Sequence, residues 1–258
     1  SGRIAFTPGA TVLIQNQPDY AIDLRRISGS IRFHDDVTIL QASGLGVFDG
    51  GLIWQENSGD FIMDGLFTTD GLGAQAILIG DRGGLIGGPA TLANLDGSTF
   101  TMNGQFDISN GSIFSNADIE ILNDPTVVTF NGGTDLDRVI KNGIEILNTT
   151  GAITFNGTTE ITDTFAAFLS AVDIQGATGP VVFDTLTIRD ESAAGLEPRL
   201  FVDNSGDITF NELNVLYDTD TTAQDDGIVI QNSGVITSNG GVILADPATV
   251  LGQGGEAI

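Results

Sequence analysis

Cysteine is absent from the 258 residues, and lysine and histidine each occur once, as Lys141 and His34. Without cysteine the fold uses no disulfide, and with a single histidine none of the common zinc ligand sets can form. Basic residues are scarce altogether: nine Lys and Arg stand against 34 Asp and Glu, a formal net charge of −25. Nucleic acid and anionic membrane surfaces both need a basic face, which excludes them as partners. The same shortage disfavours a lyase or hydrolase for polyanionic glycans, which needs a basic groove. No apolar run approaches the length of a membrane span, so membrane insertion is not expected. Long helix-period runs rich in Ala, Glu, Lys and Leu are also missing.

What remains is glycine (35 residues), abundant Asn, Asp, Thr and Ile, and a hydrophobic content of 41% with a mean hydropathy of +0.16. Short β-branched segments punctuated by Gly, Asn and Asp predict many short strands joined by tight turns. The segments also repeat. Asn204-Ser205-Gly206-Asp207-Ile208-Thr209-Phe210-Asn211 returns as Asn148-Thr149-Thr150-Gly151-Ala152-Ile153-Thr154-Phe155-Asn156 and as Asn123-Asp124-Pro125-Thr126-Val127-Val128-Thr129-Phe130-Asn131. Taking the aromatic position as marker gives Phe6, Phe33, Met63, Met102, Phe130, Phe155, Phe183, Phe210 and Ser238, with spacings of 27, 30, 39, 28, 25, 28, 27 and 28. A period in this range is the signature of a repeat architecture. It divides the chain into units 1–27, 28–57, 58–95, 96–123, 124–150, 151–178, 179–204, 205–232 and 233–258.

Each unit accommodates three strands. The first carries the Ile-x-Phe alternation, and the second follows within a few residues, as in Leu186-Thr187-Ile188. The third precedes the next turn, as in Ile144-Glu145-Ile146. The last apolar residue of the third strand steps from Ile121 to Ile230 by 25, 28, 28 and 28, an independent column with the same period. The predicted fold is all-β: a parallel β-helix, or solenoid, of about nine coils of ~27 residues with three strands per coil, about 43 Å long at the usual strand spacing. Asn and Gly supply the corners because both tolerate left-handed backbone torsions. Asn131, Asn156 and Asn211 follow the Phe column, while Asn123, Asn148, Asn204 and Asn232 end the third strand. Stacked amides at these places are expected to hydrogen-bond from coil to coil. A single domain over 1–258 is expected, with an irregular insertion around 64–95. Its excess is read around Ala76 to Gly88, as an elongated turn or side hairpin of the kind that carries recognition in repeat proteins. The Gly spacing there does not make a phosphate loop, because no Lys-Ser/Thr follows.

Signals for chemistry are few. His34, in Arg32-Phe33-His34-Asp35-Asp36, lies beside carboxylates as a general base or ligand would, but its place after a first strand reads as a solvent-facing corner. The metal candidate is the acidic loop Asp218-Thr219-Asp220-Thr221-Thr222-Ala223-Gln224-Asp225-Asp226-Gly227. Asp218, Asp220, Asp225 and Asp226 offer hard oxygen ligands suited to calcium, with a plain solvated loop as the competing reading. Thr101, Thr129, Thr154, Thr209 and Thr237 form one outward column, which the β-propensity of Thr explains. Hydrolysis of a neutral glycan by paired carboxylates stays open, since Asp and Glu occur throughout.

The Asn-Ser-Gly-Asp-Ile-Thr-Phe-Asn and Asn-Thr-Thr-Gly-Ala-Ile-Thr-Phe-Asn phrases resemble the β-strand-repeat segments of very large bacterial surface and secreted proteins, including filamentous-haemagglutinin-like adhesins and autotransporter passengers. The resemblance covers nearly all of the chain outside 64–95. It implies an extracellular, right-handed β-helix serving as adhesin stalk, fibre or coat, with host or matrix glycans as partners. It carries over no catalytic residue. The chain opens and closes near coil boundaries. The expectation is therefore either a piece of a longer β-helix or copies stacked head to tail, 241–258 against 1–27.

Overall fold

The computed structural model describes residues 3–6, 8–9, 11–16, 20–40, 50–72, 75–81, 93–109, 117–137, 142–162, 170–190, 199–217 and 227–245. Every strand in it pairs in parallel with its equivalent one repeat away, which makes the molecule a β-solenoid. The first-strand ladder runs through Arg3–Phe6, Ser30–Phe33, Asp60–Met63, Thr99–Met102 and Val127–Phe130. It continues through the starts of Ile153–Thr162, Val181–Asp190 and Ile208–Tyr217 and closes on Ile236–Ser238. A second ladder starts at Val12–Gln15 and Val37–Leu40 and ends at Val242–Ala245. The third, a separate sheet, runs from Ile22–Arg25 through Leu52–Gln55, Ile77–Gly80, Ala117–Leu122, Asn142–Leu147, Val172–Gln175 and Leu200–Asp203 to Ile228–Gln231.

The period-2 alternation of the sequence becomes the inside and outside of this tube. Phe130, Phe155, Phe183 and Phe210 are Cα partners in sequence and each is at most 1% exposed. Their rings stack at centroid distances of 4.7, 4.6 and 5.6 Å with interplanar angles of 0°, 3° and 14°. Ile119, Ile144 and Val172 stack likewise in the third sheet. One apolar core therefore extends along the axis, with Trp54 buried in it beside Phe61.

The corners explain the Asn and Gly content. Asn123, Asn148, Asn204 and Asn232 sit at φ of 51°, 51°, 47° and 50° immediately after the third strand, and Gly176 takes the same position at 64°. Asn bears this left-handed conformation at less cost than other residues with a Cβ. Gly151 is needed for another reason: a Cβ there would run into the carbonyl oxygen of Thr126 in the preceding coil.

Two features depart from the expected unit. In Ile153–Thr162, Val181–Asp190 and Ile208–Tyr217 the first and second strands run on as one ten-residue strand. Here the corner changes from three residues (Asn156, Gly157, Thr158) to two (Asp184, Thr185), which produces the register shift between Phe155 and Thr158. Secondly, Ile77–Gly80 belongs to a regular third strand, in register with Ile119–Leu122 positions, although the sequence placed it within the excess. The extra length falls after Asp81, whose N–H still donates to the Leu122 carbonyl. The chain is back in the stack by Leu95, whose N–H donates to the Asn57 carbonyl just as Ser58 donates to Ile27 one coil earlier.

Candidate functional site

The residue that follows the aromatic, methionine or (in the last coil) Ser238 position of each first strand from Phe33 onward forms a column: His34, Asp64, Asn103, Asn131, Asn156, Asp184, Asn211 and Asn239. Parallel in-register pairing places these side chains one above another. Asn103 Nδ2 donates to Asp64 Oδ1 (2.9 Å), Asn131 Nδ2 to Asn103 Oδ1 (2.8 Å) and Asn156 Nδ2 to Asn131 Oδ1 (2.7 Å). Beyond this the column restarts, with Asn211 Nδ2 donating to Asp184 Oδ1 (2.9 Å) and Asn239 Nδ2 to Asn211 Oδ1 (2.8 Å). All these donors point towards the N-terminal end. Asp184 has no side-chain N–H to donate to Asn156 Oδ1, so the column breaks there.

At its N-terminal end the column closes on a charged cluster. Arg32 grips Asp64 through Nε to Oδ2 (2.7 Å) and Nη2 to Oδ1 (3.0 Å), while His34 Nδ1 lies 3.0 Å from Oδ2. Burial pushes the Asp64 carboxyl up, but the hydrogen bonds from Arg32, Asn103 and His34 together with the Arg32 charge outweigh it and hold the group below its ordinary range. His34 does occupy the corner, but as a half-buried partner of a carboxylate one coil away, not as a solvated residue. The reason is register: Phe33 pairs with Met63, which stacks the two following residues. The cluster can orient an imidazole and hold a carboxylate ionised; its hydrogen bonds are spent within the stack.

A second column lies on the outer face of the second strands. Asp107, Asp135 and Glu160 are Cα partners in consecutive coils. Burial raises the Asp135 carboxyl above its ordinary range, and the charges of Asp107, Glu160 and Asp137 raise it further. Arg189 Nε reaches Glu160 Oε1 at 3.4 Å, and Thr162 Oγ1 donates to Asp137 Oδ1 at 3.0 Å. The sequence reading passed over this column, although the spacings of 28 and 25 between its members match the Phe column step for step.

A third polar group is internal. Asn94 donates to Asp124 Oδ2 through its backbone N–H (2.8 Å) and Nδ2 (3.0 Å), and its Oδ1 accepts the Asn57 N–H at 2.8 Å. The Thr126 N–H donates to Asp124 Oδ1 at 2.8 Å. Burial raises the Asp124 carboxyl, and these bonds from Thr126 and Asn94 only partly offset it. The network returns the chain to the stack after the insertion. It was hidden in the sequence because Asn57, Asn94 and Asp124 stand 37 and 30 residues apart, outside any local motif.

The calcium candidates Asp218, Asp220, Asp225 and Asp226 lie outside the described residues. Among the described residues no group of three or more His, Asp or Glu is arranged to hold a metal ion. The Thr column is in register as read, Thr101 with Thr129, Thr154 with Val182, and Thr209 with Thr237. A cavity of about 310 Å³ opens at the first coil and is apolar, lined by Val12, Ile14, Ala21, Ile22, Leu24, Ile31 and Phe33. No family model, curated protein or solved structure matches this chain.

Proposed function

We propose that the chain is a structural or adhesive segment of an extracellular surface protein, a β-helical stalk or fibre whose coils associate end to end. One observation carries the reading: corner polar groups are spent on bonds from coil to coil, along the axis, in place of converging on a cleft. Asn103, Asn131 and Asn156 spend their amide donors in this way, and Arg32 and His34 spend theirs on Asp64. Supporting it, the cavity at the first coil is lined by the same apolar columns that form the core, of which Val12, Ile14, Ala21, Ile22 and Leu24 are only partly buried. A further coil, from continuing chain or a second copy, fills such a space with the side chains those columns repeat. The net charge of −25 suits a solvated surface that repels lateral association while leaving the axial ends free to dock. Partners on this reading are the protein itself and host or matrix glycans, with calcium as a ligand of the 218–226 loop. Sedimentation velocity over a concentration series, with negative-stain microscopy, tests it. Rods growing along one axis support the proposal, and a monodisperse monomer at every concentration refutes end-to-end association. A calcium titration followed by calorimetry tests the loop separately.

The second reading is a carbohydrate-active β-helix acting on a neutral polysaccharide. It is favoured by the Asp107, Asp135 and Glu160 column, in which burial and then the neighbouring charges raise the proton affinity of the middle carboxyl, an arrangement of adjacent carboxyl groups of the kind glycoside hydrolysis employs. Screening neutral polysaccharides for reducing-sugar release tests it. Activity lost in Asp135→Asn supports an enzyme, and no release from any of them removes this alternative.

A further inference from the structure

In the run of the column before the break at Asp184, Asn103, Asn131 and Asn156 are each followed by glycine, as Gly104, Gly132 and Gly157; Asn239-Gly240 repeats the pair at the open end of the separate run beyond the break and is followed independently. In an Asn-Gly pair the backbone nitrogen of the glycine can attack the side-chain carbonyl carbon, because no Cβ crowds the approach. A bond forms between the glycine nitrogen and Cγ, the Cγ–Nδ2 bond breaks and ammonia leaves. Water then opens the resulting ring to aspartate or isoaspartate. The step needs the side-chain amide to turn out of its resting position. The column decides how firmly each amide is held.

Asn103 and Asn131 are held at both ends: each donates through Nδ2 to the preceding coil and accepts through Oδ1 from the next. Asn156 donates to Asn131, but its Oδ1 accepts from no described residue, since its neighbour in the next coil is Asp184. All three are exposed, so access of water does not separate them. We propose that these three residues form a spontaneous modification site that converts in a fixed order, Asn156 first, then Asn131, then Asn103. Conversion of Asn156 to a carboxylate removes the donor to Asn131 Oδ1, which makes Asn131 the new open end. The same step repeats at Asn103. Asp64 and Asp184 already place carboxylates in this column, so the product has a precedent in the same fold position. Asn211 stands in the same column but precedes Glu212, and serves as the unreactive reference.

The test is ageing of the full chain at mildly alkaline pH, with peptide mapping by mass spectrometry of the mass gain and of isoaspartate at each asparagine. Asn156 is expected to convert about fivefold faster than Asn131, the factor carried by one net hydrogen bond of about 1 kcal/mol. Asp184→Asn supplies the missing donor and is expected to slow Asn156 to the Asn131 rate. Asn131→Asp moves the open end and is expected to speed Asn103 about fivefold by the same bond. Equal rates at the three positions in the native chain overturn the proposal, as does an unchanged Asn156 rate in folded Asp184→Asn. If that variant does not fold, Asn131→Asp decides alone, and an unchanged Asn103 rate overturns the proposal.

Discussion

Phe155→Ala cuts the aromatic column at its best-stacked point. The ring is 1% exposed and lies between Phe130 at 4.7 Å and Phe183 at 4.6 Å, nearly parallel to both. Truncating a buried Phe costs roughly 3–5 kcal/mol. Each ring pair adds about 0.5–1.5 kcal/mol beyond the area buried, so a residue with two partners belongs at the upper end. Neighbouring coils close the gap poorly, because each is pinned by backbone ladders on both sides. Phe201→Ala is the matched control: it removes the same atoms from the outer face of Leu200–Asp203, where the ring is half-exposed, and is expected to cost about 1 kcal/mol. Urea unfolding followed by circular dichroism, with Trp54 fluorescence as a second probe several coils away, reads both. A repeat protein need not unfold in one step, and separation of the two probes in Phe155→Ala would mark the broken coil as the boundary. Equal costs for Phe155→Ala and Phe201→Ala would refute the axial aromatic stack as the source of stability.

Further outcomes follow from the corners and carboxylates. Gly151→Ala drives a Cβ into the Thr126 carbonyl and is expected to abolish or severely weaken folding, whereas Gly133→Ala, with its nearest neighbour Thr158 O at 3.6 Å, is expected to gain about 0.4–1 kcal/mol; thermal melts of the pair check both. Asp135 has a raised folded-state pKa, so its contribution is fully present below the ordinary value of about 3.9 and is lost as pH rises through the raised one. Asp135→Asn is therefore expected to raise the melting temperature at pH 7 and to flatten its fall between acid and neutral pH. Asp64 has the opposite sign: its lowered pKa gives stability present above the ordinary value and lost as pH falls through the folded-state one. Asp64→Asn is then expected to destabilise at neutral pH and to converge with the native chain in acid. Asn142 is 1% exposed and neither amide atom meets a hydrogen-bond partner among the described residues, so Asn142→Ala is expected to recover part of a penalty of about 1–3 kcal/mol, read as a raised urea midpoint.

Local rules wrote much of this molecule in plain view. The spacing of Phe130, Phe155, Phe183 and Phe210 is the register of the first ladder, because parallel in-register coils convert a repeat length directly into a stack. Asn at 123, 148, 204 and 232 marked the left-handed corners, since few other residues adopt that conformation cheaply. Coil-to-coil amide bonding, expected from the Asn columns, is present at Asn131 and Asn156.

Other features depend on which coils touch, and a linear text does not carry that. Ile77–Gly80 reads as part of a glycine-rich excess, yet its backbone finds partners in Leu52–Gln55 and Ala117–Leu122, and pairing decides that it is strand. His34 meets Asp64, and Asn94 meets Asp124, only because the stack brings residues 30 apart into contact. The carboxyl of Asp135 has its proton affinity raised by burial in the stack and then by the charges of Asp107 and Glu160 in the coils on either side. Sequence alone determined the repeat, the inward face and the corner residues, all of which follow from local backbone preference and period. Tertiary structure decided hydrogen-bond partners, burial of charge and the position of the break at Asp184, because these are properties of neighbouring coils and not of neighbouring residues.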